Sequence, residues 1–231
     1  SKMAGSAFLA LRVFTRRRGT KAWVNRQASD PFVAQAKQLG LRSRAAFKLD
    51  EINLKHRILR KNDVVIDLGA SPGSWSQIAA ERVGAGGHVV AVDLSSIHPM
   101  GNVVPIKLDV YSEHAEAQIR AALGTHEHAN AILSDMAPNT CGIRDVDHAR
   151  SVALCERALE LARVLLARGG HLVCKLLDGG DEHALRRQFA ASFARVNRVK
   201  PSSSRKESRE VFIVGMDFQL PRALKNTCSN N

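Results

Sequence analysis

The sequence of 231 residues contains few cysteines and no long apolar segment. No two of its 4 cysteines stand at Cys-x-x-Cys spacing, so the sequence indicates neither a zinc site nor a redox pair, and no other cluster of metal ligands is evident. No apolar run approaches the roughly 18 residues that a transmembrane helix needs. The sequence therefore predicts a protein of a reducing compartment, without disulfides, a bound metal or a membrane span.

Acidic residues are outnumbered by basic ones. There are 34 lysines and arginines against 22 aspartates and glutamates, which gives a net charge of +12 and an isoelectric point near 10.1. Such an excess predicts a polyanionic partner, with RNA or DNA favoured over an acidic membrane. A soluble basic surface without a specific partner is the alternative that charge alone leaves open.

The first acidic residue is Asp30, and the residues before it are rich in arginine and hydroxyl groups. This composition is typical of a mitochondrial transit segment, and it predicts localisation in the mitochondrial matrix. A basic arm that clamps phosphate is the competing interpretation. We therefore expect an arm or transit segment at residues 1–29, one domain at residues 30–219 and a short tail at residues 220–231.

The most informative segment is Asp63–Gln77. Its residues Val64–Leu68 are mostly apolar and β-branched, as in a buried parallel strand. Small residues and a proline follow at Gly69–Gly73, and a helical pattern begins at Trp75. A strand, a glycine turn and a helix in this order predict the first half of a nucleotide-binding βαβ unit.

The next apolar run supplies a carboxylate at the position that such a unit needs. The run His88–Asp93 is predicted to be the second strand, and Asp93 stands 20 residues after Gly73. Rossmann-like folds place at about this offset the carboxylate that accepts hydrogen bonds from ribose hydroxyls. A tight turn without a ligand is the alternative for the glycines alone.

The glycine turn disfavours a dinucleotide. Ser71 and Ser74 stand where the dinucleotide fingerprint needs its later glycines, and Pro72 lacks an N–H donor. The turn is therefore poorly suited to a pyrophosphate, which argues against an NAD-dependent oxidoreductase. It still suits a ligand with an adenosine and no phosphate, of which S-adenosylmethionine is the common one.

Strands and helices alternate along the chain. The predicted strands are Val64–Leu68, His88–Asp93, Val103–Leu108, Ala131–Leu133, His171–Leu177, Val196–Lys200 and Val211–Phe218. The predicted helices are Pro31–Gln38, a helix capped by Ser43 that ends at about His56, one that begins near Trp75, Glu113–Leu123, Asp147–Ala167 and Glu182–Ala194. This alternation predicts an α/β, Rossmann-like fold with a mostly parallel seven-stranded sheet, helices on both faces and the last two strands antiparallel at one edge.

Chemically active side chains follow several of these strands. Asp109, Asp135 and Lys175 stand at or near the carboxyl ends of their strands, where open α/β sheets bind ligands. Lys175 interrupts an apolar strand, and burial of a lysine is costly unless it is paired, so Asp135 is its expected partner. A structural ion pair at this rim is the alternative. Lys48 and Glu210 carry no such signal by themselves.

Four segments occur in an order that resembles the FtsJ/RrmJ family of S-adenosylmethionine-dependent ribosomal RNA 2'-O-methyltransferases. They are Ser43–Leu49, Asp67–Gln77, Ser134–Asn139 and Ser204–Phe212, and the resemblance extends from about Asp30 to Phe218. Three further segments are most similar to the mitochondrial branch, namely Asp30–Val33, Gly142–His148 and Ser204–Ser208. The resemblance implies methylation of a uridine ribose in the peptidyl-transferase region of large-subunit rRNA, on the large mitoribosomal subunit or its precursor.

The resemblance also implies roles for individual residues. The catalytic Lys-Asp-Lys-Glu tetrad of the family falls on Lys48, Asp135, Lys175 and Glu210, and the motif selects Glu210 rather than the nearby Glu207. The implied contacts to the cofactor, S-adenosylmethionine, are Gly69, Pro72, Gly73, Ser74, Trp75, Asp93, Asp109 and Asp135. Asp109 would accept a hydrogen bond from the adenine amino group, and core packing is the alternative for Trp75. Ser74 stands where many members have glycine, and Phe212 replaces a common tyrosine.

The chemistry of this reaction explains the residue types. A ribose 2'-hydroxyl attacks well only as its proton is being lost, so the site needs a base and an alignment of oxygen, methyl and sulfur. We hypothesise that Lys175 is the base and that the nearby cation Lys48 favours its neutral form. Asp135 would orient Lys175, and Glu210 would orient Lys48 or the ribose.

Basic residues flank the tetrad motifs and are predicted to contact RNA phosphates. They are Arg42, Arg44, Arg205, Lys206 and Arg209. A solvated basic face is the alternative for any one of them, and phosphate contact predicts binding that weakens steeply with salt. Two other functions stay open: methylation of another RNA, such as tRNA or a messenger cap, and an RNA-binding mitoribosome assembly factor that acts with other assembly factors and does not depend on methyl transfer.

Overall fold

The computed structural model of the chain describes residues 30–180, 182–205 and 207–219. The predicted arm at residues 1–29, Lys206 and the tail at residues 220–231 lie outside the described residues. The predictions made for them therefore stay predictions.

Within the described residues, seven strands form one sheet in the order β3-β2-β1-β4-β5-β7-β6. The strands are β1 (Val64–Leu68), β2 (His88–Asp93), β3 (Val103–Lys107), β4 (Ala129–Ser134), β5 (Leu166–Leu177), β6 (Phe193–Val199) and β7 (Glu210–Phe218). The helices are α1 (Pro31–Gln38), α2 (Ala46–His56), α3 (Ser74–Val83), α4 (Ala115–Ala122), α5 (Arg144–Leu165) and α6 (Glu182–Ala190).

The strand pairing confirms the predicted mostly parallel sheet. β1 pairs in parallel with β2 on one side and with β4 on the other, and β4 pairs in parallel with β5. β7 runs antiparallel to both β5 and β6, as the short connection between the last two strands predicted. The strand order reverses between β1 and β4, and open α/β sheets bind their ligands outside the carboxyl ends of the strands at such a point.

Helices cover both faces of the sheet. Along β1, Val64, Ile66 and Leu68 pack with α4, α5 and α6, whereas Val65 packs with α2 and α3. This alternation follows from the two-residue period of a strand. Asp67 shares the parity of Val65 and therefore points toward α3. No helix of the described residues is both long enough and apolar enough to cross a membrane.

The predicted boundary between α5 and β5 was wrong. The helix begins three residues before the predicted start at Asp147 and ends two residues before the predicted end at Ala167, and β5 follows at once. Gly169 and Gly170 follow the predicted end of the helix, and glycine commonly stands just after a helix end. Gly169 instead has a φ of +81° inside β5, where the pairing with β4 shifts its register. The glycine therefore serves an irregularity of the strand.

Several other boundaries differ from their predictions by a few residues, and two of them have a clear local reason. α2 begins at Ala46, and Ser43 does not cap it as predicted, because the Ser43 hydroxyl accepts the N–H of Ala45 at 3.2 Å and closes a turn before the helix. α6 ends at Ala190, four residues before the predicted end, because Phe193 already pairs with the end of β7 and starts β6.

Candidate active site

The glycine turn lies between the carboxyl ends of β1 and β2. The N–H groups of Gly69 and Ala70 donate to the carbonyl oxygen of Val92, at 2.9 and 3.1 Å. The N–H of Ser71 donates to Oδ2 of Asp93 at 3.0 Å. These bonds hold the turn against β2, so its backbone is fixed at the rim where a ligand is expected.

Both glycines of the turn stand where a side chain would collide with a neighbour. Gly69 has a φ of +74°, and a Cβ there would lie 2.7 Å from Cγ of Met136. Gly73 has a φ of +106° at the start of α3, and its Cβ would lie 2.6 Å from Nη1 of Arg42. The backbone conformation favours glycine at both positions, and at Gly69 the backbone atoms of Met136 also leave no space for a Cβ.

Replacement of Gly69 by alanine is expected to destabilise the protein more than the same change at Gly124. Gly124 has a φ of +66° with no heavy atom within 4 Å of its Cβ position, so Gly124→Ala should cost only backbone strain, about 1–2 kcal/mol. Gly69→Ala adds the overlap with Met136, roughly 1–3 kcal/mol more. Urea denaturation measures both variants, and equal losses would contradict the close approach of Met136.

Two carboxylates stand beside the turn, at the carboxyl ends of β2 and β3. Asp93 is half-buried, and its Oδ1 accepts the N–H of Ser95 at 2.7 Å. Asp109 is exposed, and its Oδ1 accepts the N–H of Tyr111 at 2.9 Å. The backbone thus fixes both groups. Each carboxylate oxygen has two lone pairs, so both groups keep acceptor capacity for the hydroxyl or amino groups of a ligand.

Ser74 and Trp75, which were predicted to contact the cofactor, turn their side chains into the protein. Trp75 is 2% exposed, and its Nε1 donates to the carbonyl oxygen of Ala45 at 2.8 Å. Its ring centroid lies 5.6 Å from that of the buried Phe212. The Ser74 hydroxyl accepts a hydrogen bond from Ser43 at 2.8 Å. Contact of these two residues with a cofactor through their backbone stays a prediction.

The four residues of the predicted tetrad meet as two ion pairs. Lys48, on α2, places its Nζ 2.6 Å from Oε2 of Glu210, at the start of β7. Lys175, on β5, places its Nζ 3.0 Å from Oδ1 of Asp135 and donates to the carbonyl oxygen of Asp135 at 2.6 Å. Both lysines are only 7% exposed. The expected contact between Lys175 and Asp135 is thus present, and Glu210 holds Lys48.

The two ion pairs lie close enough to influence each other. Burial by itself would raise the pKa of Glu210, but Lys48, and beyond it Lys175, hold that pKa below its ordinary value. In the antiparallel register, Glu210 lies opposite Leu177, two residues along β5 from Lys175. Two cations and two carboxylates therefore form one connected group at the rim.

Glu51 anchors the loop that leads to Glu210. Its two carboxylate oxygens accept four hydrogen bonds, of 2.7 to 3.3 Å, from the N–H and hydroxyl groups of Ser202 and Ser203. Burial would raise the pKa of Glu51, but these hydrogen bonds lower it below its ordinary value. Because Glu51 lies on α2 together with Lys48, the same helix positions both members of the pair between Lys48 and Glu210.

Arg42, the first of the residues predicted to contact RNA, lies over the glycine turn. Its guanidinium donates to the carbonyl oxygen of Pro72 at 3.0 Å and to that of His98 at 2.9 Å. Pro72 is exposed and follows a cis peptide bond. These contacts tie the turn to the loop after β2, so Arg42 has a structural role whether or not it also contacts RNA.

The other described arginines of this set also have partners within the protein. Arg44 and Arg205 both form ion pairs with Asp30, the residue that caps α1. A nitrogen of Arg209 lies 3.8 Å from a carboxylate oxygen of Asp147. Asp30 balances only one of its two cations, so a positive charge remains beside the rim. Contact of these arginines with phosphate stays a prediction.

Asp67 is a site residue that was given no role from the sequence. It is fully buried in β1, its Oδ2 accepts a hydrogen bond from Ser76 Oγ at 2.6 Å, and its Oδ1 has no partner among the described residues. Burial, together with the charges of Asp135 and Asp93, raises its pKa to about 7 against the effect of the Ser76 hydrogen bond. The sequence signal was present, because Asp67 is a charged residue in an apolar strand, as Lys175 is.

Asp147 is a second buried aspartate that was given no role from the sequence, and it holds the loop after β4. It lies in the first turn of α5, and its Oδ1 and Oδ2 accept the N–H groups of Cys141 and Gly142, at 2.8 and 3.1 Å. These hydrogen bonds, led by the one from Cys141, lower the pKa of Asp147 below its ordinary value. The loop that follows Asp135 is therefore fastened to the helix behind it.

The fold and the site together define the class of this protein. A doubly wound sheet with one antiparallel strand, a glycine turn after β1 and carboxylates after β2 and β3 form the arrangement of a Rossmann-like, S-adenosylmethionine-dependent methyltransferase. The chain belongs to the FtsJ-like methyltransferase family, whose model matches residues 41–218. This match confirms the family resemblance that the four sequence segments indicated.

Similar proteins cover most of this chain. It is 47% identical over 188 residues to a protein of Anaplasma marginale named ribosomal RNA large subunit methyltransferase E, which covers 80% of this chain and 92% of that protein. It is 40% identical over 223 residues to a protein of the same name from Brucella anthropi, with 94% and 92% covered. A crystal structure of a ribosomal RNA methyltransferase from Plasmodium falciparum has a TM-score of 0.69 at 28% identity and covers 78% of this chain and 100% of that one.

The residues present fit S-adenosylmethionine, the cofactor of this class. Asp93 would hold the ribose hydroxyls and Asp109 the adenine amino group, since both carboxylates are oriented by backbone N–H groups and keep free lone pairs. The unpartnered oxygen of Asp67 adds a buried polar atom close to Asp135 and Asp93.

Proposed function

We propose that this protein transfers a methyl group from S-adenosylmethionine to the 2'-oxygen of a ribose in large-subunit ribosomal RNA. The observation that carries the proposal is the pairing of Lys48 with Glu210 and of Lys175 with Asp135 at the rim that holds the glycine turn. Nearly buried lysines that carboxylates hold in place suit the removal of a proton from a hydroxyl group. The names of the bacterial relatives support large-subunit rRNA as the substrate.

Lys175 is the residue placed to accept the proton. Its contacts with two oxygens of Asp135 fix the direction of its side chain. Bound S-adenosylmethionine supplies a methyl group that its sulfonium already activates. Lys175 would accept the proton that the 2'-hydroxyl group loses as its oxygen takes the methyl group from the cofactor. The protein therefore contributes alignment and a proton acceptor.

Lys48 and Glu210 complete the site from the other side. Glu210 holds Lys48 at 2.6 Å, so the cation has a fixed position at the rim. A fixed cation stabilises the negative charge that develops on a 2'-oxygen as its proton leaves.

The proposal has three finer parts. The target nucleotide is a uridine, the substrate is the mitochondrial ribosome, and the protein acts in the mitochondrial matrix. They are supported by the similarity of Asp30–Val33, Gly142–His148 and Ser204–Ser208 to the mitochondrial branch, and by the acid-free, arginine-rich composition of residues 1–29. Fluorescence microscopy of the full chain with a C-terminal fluorescent protein tests the location. Signal within mitochondria is expected, and a purely cytosolic or nuclear signal would contradict this part.

Transfer of a tritiated methyl group tests the function directly. The full chain is incubated with labelled S-adenosylmethionine and with large ribosomal subunits, or their precursors, that lack the modification, and the labelled nucleotide is then mapped. We expect label on the 2'-oxygen of a uridine in large-subunit rRNA. Tight binding to the particle without any transfer would instead favour an assembly factor that does not depend on catalysis.

Breaking the contact between Lys48 and Glu210 is expected to slow the reaction. Glu210→Gln should lower kcat at least about tenfold, because Lys48 then loses the carboxylate that holds it. Lys48→Met should have a comparable effect, and the double variant should be little worse than either single variant, since both changes break one contact.

Steady-state kinetics of the three variants measure this coupling. Glu207→Gln is the matched control, because Glu207 is an exposed glutamate in the same loop, and its kcat should equal that of the wild type. Losses that multiply in the double variant would show that Lys48 and Glu210 act separately.

A further inference from the structure

The rim of the sheet opposite the active site carries a cluster of exposed basic side chains. We call it the opposite-rim patch, and it consists of Lys55, Arg57, Arg60, Lys61 and Arg195. The first four lie at the end of α2 and in the segment that leads into the amino end of β1. Arg195 lies near the start of β6, which is at the same end of the sheet, since β6 and β5 both run antiparallel to β7.

Few carboxylates balance these charges. Within the described residues, no carboxylate lies within 4.0 Å of the charged groups of Lys55, Arg57, Arg60 and Lys61. Arg195 pairs with Asp217 at 2.7 Å, and Asp63 accepts the backbone N–H of Arg60 at 2.7 Å. Five cations and these two carboxylates leave an excess of positive charge.

Two histidines beside the patch show the effect of this charge. Burial lowers the pKa of His56, and the charges of Lys55 and Arg195 lower it further. Burial also lowers the pKa of His171, with Arg60 and Arg195 contributing despite a neighbouring aspartate. The same positive potential that disfavours a proton on these rings attracts anions from solution.

Arg57 occupies a backbone position where glycine would be less costly. It follows the last residue of α2 with φ 52° and ψ 47°, in the left-handed region. Glycine is preferred at this position of a helix end because it has no Cβ. The side chain of Arg57 is exposed, so its guanidinium adds to the positive charge of the patch.

We propose that the opposite-rim patch binds a second segment of ribosomal RNA in the particle, separate from the segment that enters the active site. The inference rests on the proposed function, which makes a folded RNA particle the substrate. Lys48 and Arg57 lie toward opposite rims, ~14 Å apart along the axis of α2, so the target nucleotide does not cover both. A particle with many RNA segments offers phosphates to both rims, and exposed lysines and arginines bind them by releasing counterions.

The experiment compares two variants that each lose two positive charges. Arg57→Gly/Lys61→Ala changes the patch, and Arg186→Ala/Arg187→Ala is the matched control, because Arg186 and Arg187 are exposed on α6. For the patch variant we expect the KM for large-subunit particles to rise roughly tenfold at physiological salt, with kcat unchanged. The slope of log affinity against log salt, from co-sedimentation with particles, should fall by about 2. The control should change neither quantity.

A stability measurement excludes misfolding as the cause. Arg57→Gly relieves the left-handed conformation of a residue with a Cβ, so this variant should unfold at the same temperature as the wild type or higher. Weaker particle binding in a variant that is equally or more stable supports contact with RNA.

Failure of the inference and failure of the proposed function give different results. Wild-type protein that binds particles but transfers no methyl group would overturn the function. An unchanged KM and salt slope in the patch variant, or equal losses in the control variant, would overturn the patch as an RNA site. If the patch variant loses binding to phosphatidylserine vesicles but binds particles as the wild type does, the patch contacts a membrane surface. That result would also overturn the patch as an RNA site.

Discussion

Replacement of Lys175 by alanine is expected to lower the rate of methyl transfer by a factor of about 10²–10⁴, the range that a positioned general base contributes. The variant loses the amine that accepts the hydroxyl proton, and Asp135 loses the side chain that contacts its Oδ1. Single-turnover transfer of tritiated methyl to large subunits measures the rate. Calorimetric titration with S-adenosylmethionine should show that the cofactor still binds, because Asp93 and Asp109 are untouched. Full turnover of Lys175→Ala would contradict the assignment of the base.

Lys175→Arg separates the role of a base from the role of a positive charge. Arginine keeps the charge and the ion pair with Asp135, but it does not lose a proton at accessible pH. We therefore expect Lys175→Arg to fold normally, to bind particles and cofactor, and to be as slow as Lys175→Ala. Substantial activity of the arginine variant would show that the site needs a cation at this position and takes the proton elsewhere.

The fold was predictable where the local pattern had one interpretation. Val64–Leu68 and His88–Asp93 were predicted to the residue, because each is a β-branched run that ends at the turn or carboxylate of a βαβ unit. The start of β5 was not predicted correctly, because Gly169 and Gly170 suit the end of a helix as well as an irregular strand. Pairing with β4 decides between the two, and this contact is not visible in the local sequence.

The residues of the candidate site also differ in whether the local sequence indicates them. Lys175 and Asp135 had local signals, since one is a cation in an apolar strand and the other follows a strand. Lys48 and Glu210 had none, because their contact joins residues 162 positions apart through the packing of α2 near β7. The family resemblance selected them. Asp67 carried the same local signal as Lys175 but was treated as part of the motif, and only its burial and its unpartnered oxygen show that its charge state matters.

The stability of Asp67→Asn relative to the wild type is expected to increase with pH, by roughly 2–3 kcal/mol between pH 5 and pH 8. The Asp67 pKa is raised from 3.8 to about 7 in the folded protein, chiefly by burial. The folded state therefore keeps a proton that the unfolded chain has lost, and the wild type loses stability as pH rises from about 4 to 7. Asparagine has the same shape, accepts the hydrogen bond from Ser76 and carries no charge at any pH. The loss of stability with rising pH is therefore absent in this variant.

Asp147→Asn is the matched control, because its pKa shift has the opposite sign. The N–H groups of Cys141 and Gly142 lower the pKa of Asp147, so its stabilising contribution is complete above about pH 4 and constant from pH 5 to pH 8. This variant should be less stable than the wild type by the same amount throughout that range. Urea denaturation of the three proteins without cofactor, at pH 5, 6, 7 and 8, measures the comparison. A pH-independent difference for Asp67→Asn would mean that Asp67 already carries its charge at pH 5, with a partner that compensates its burial.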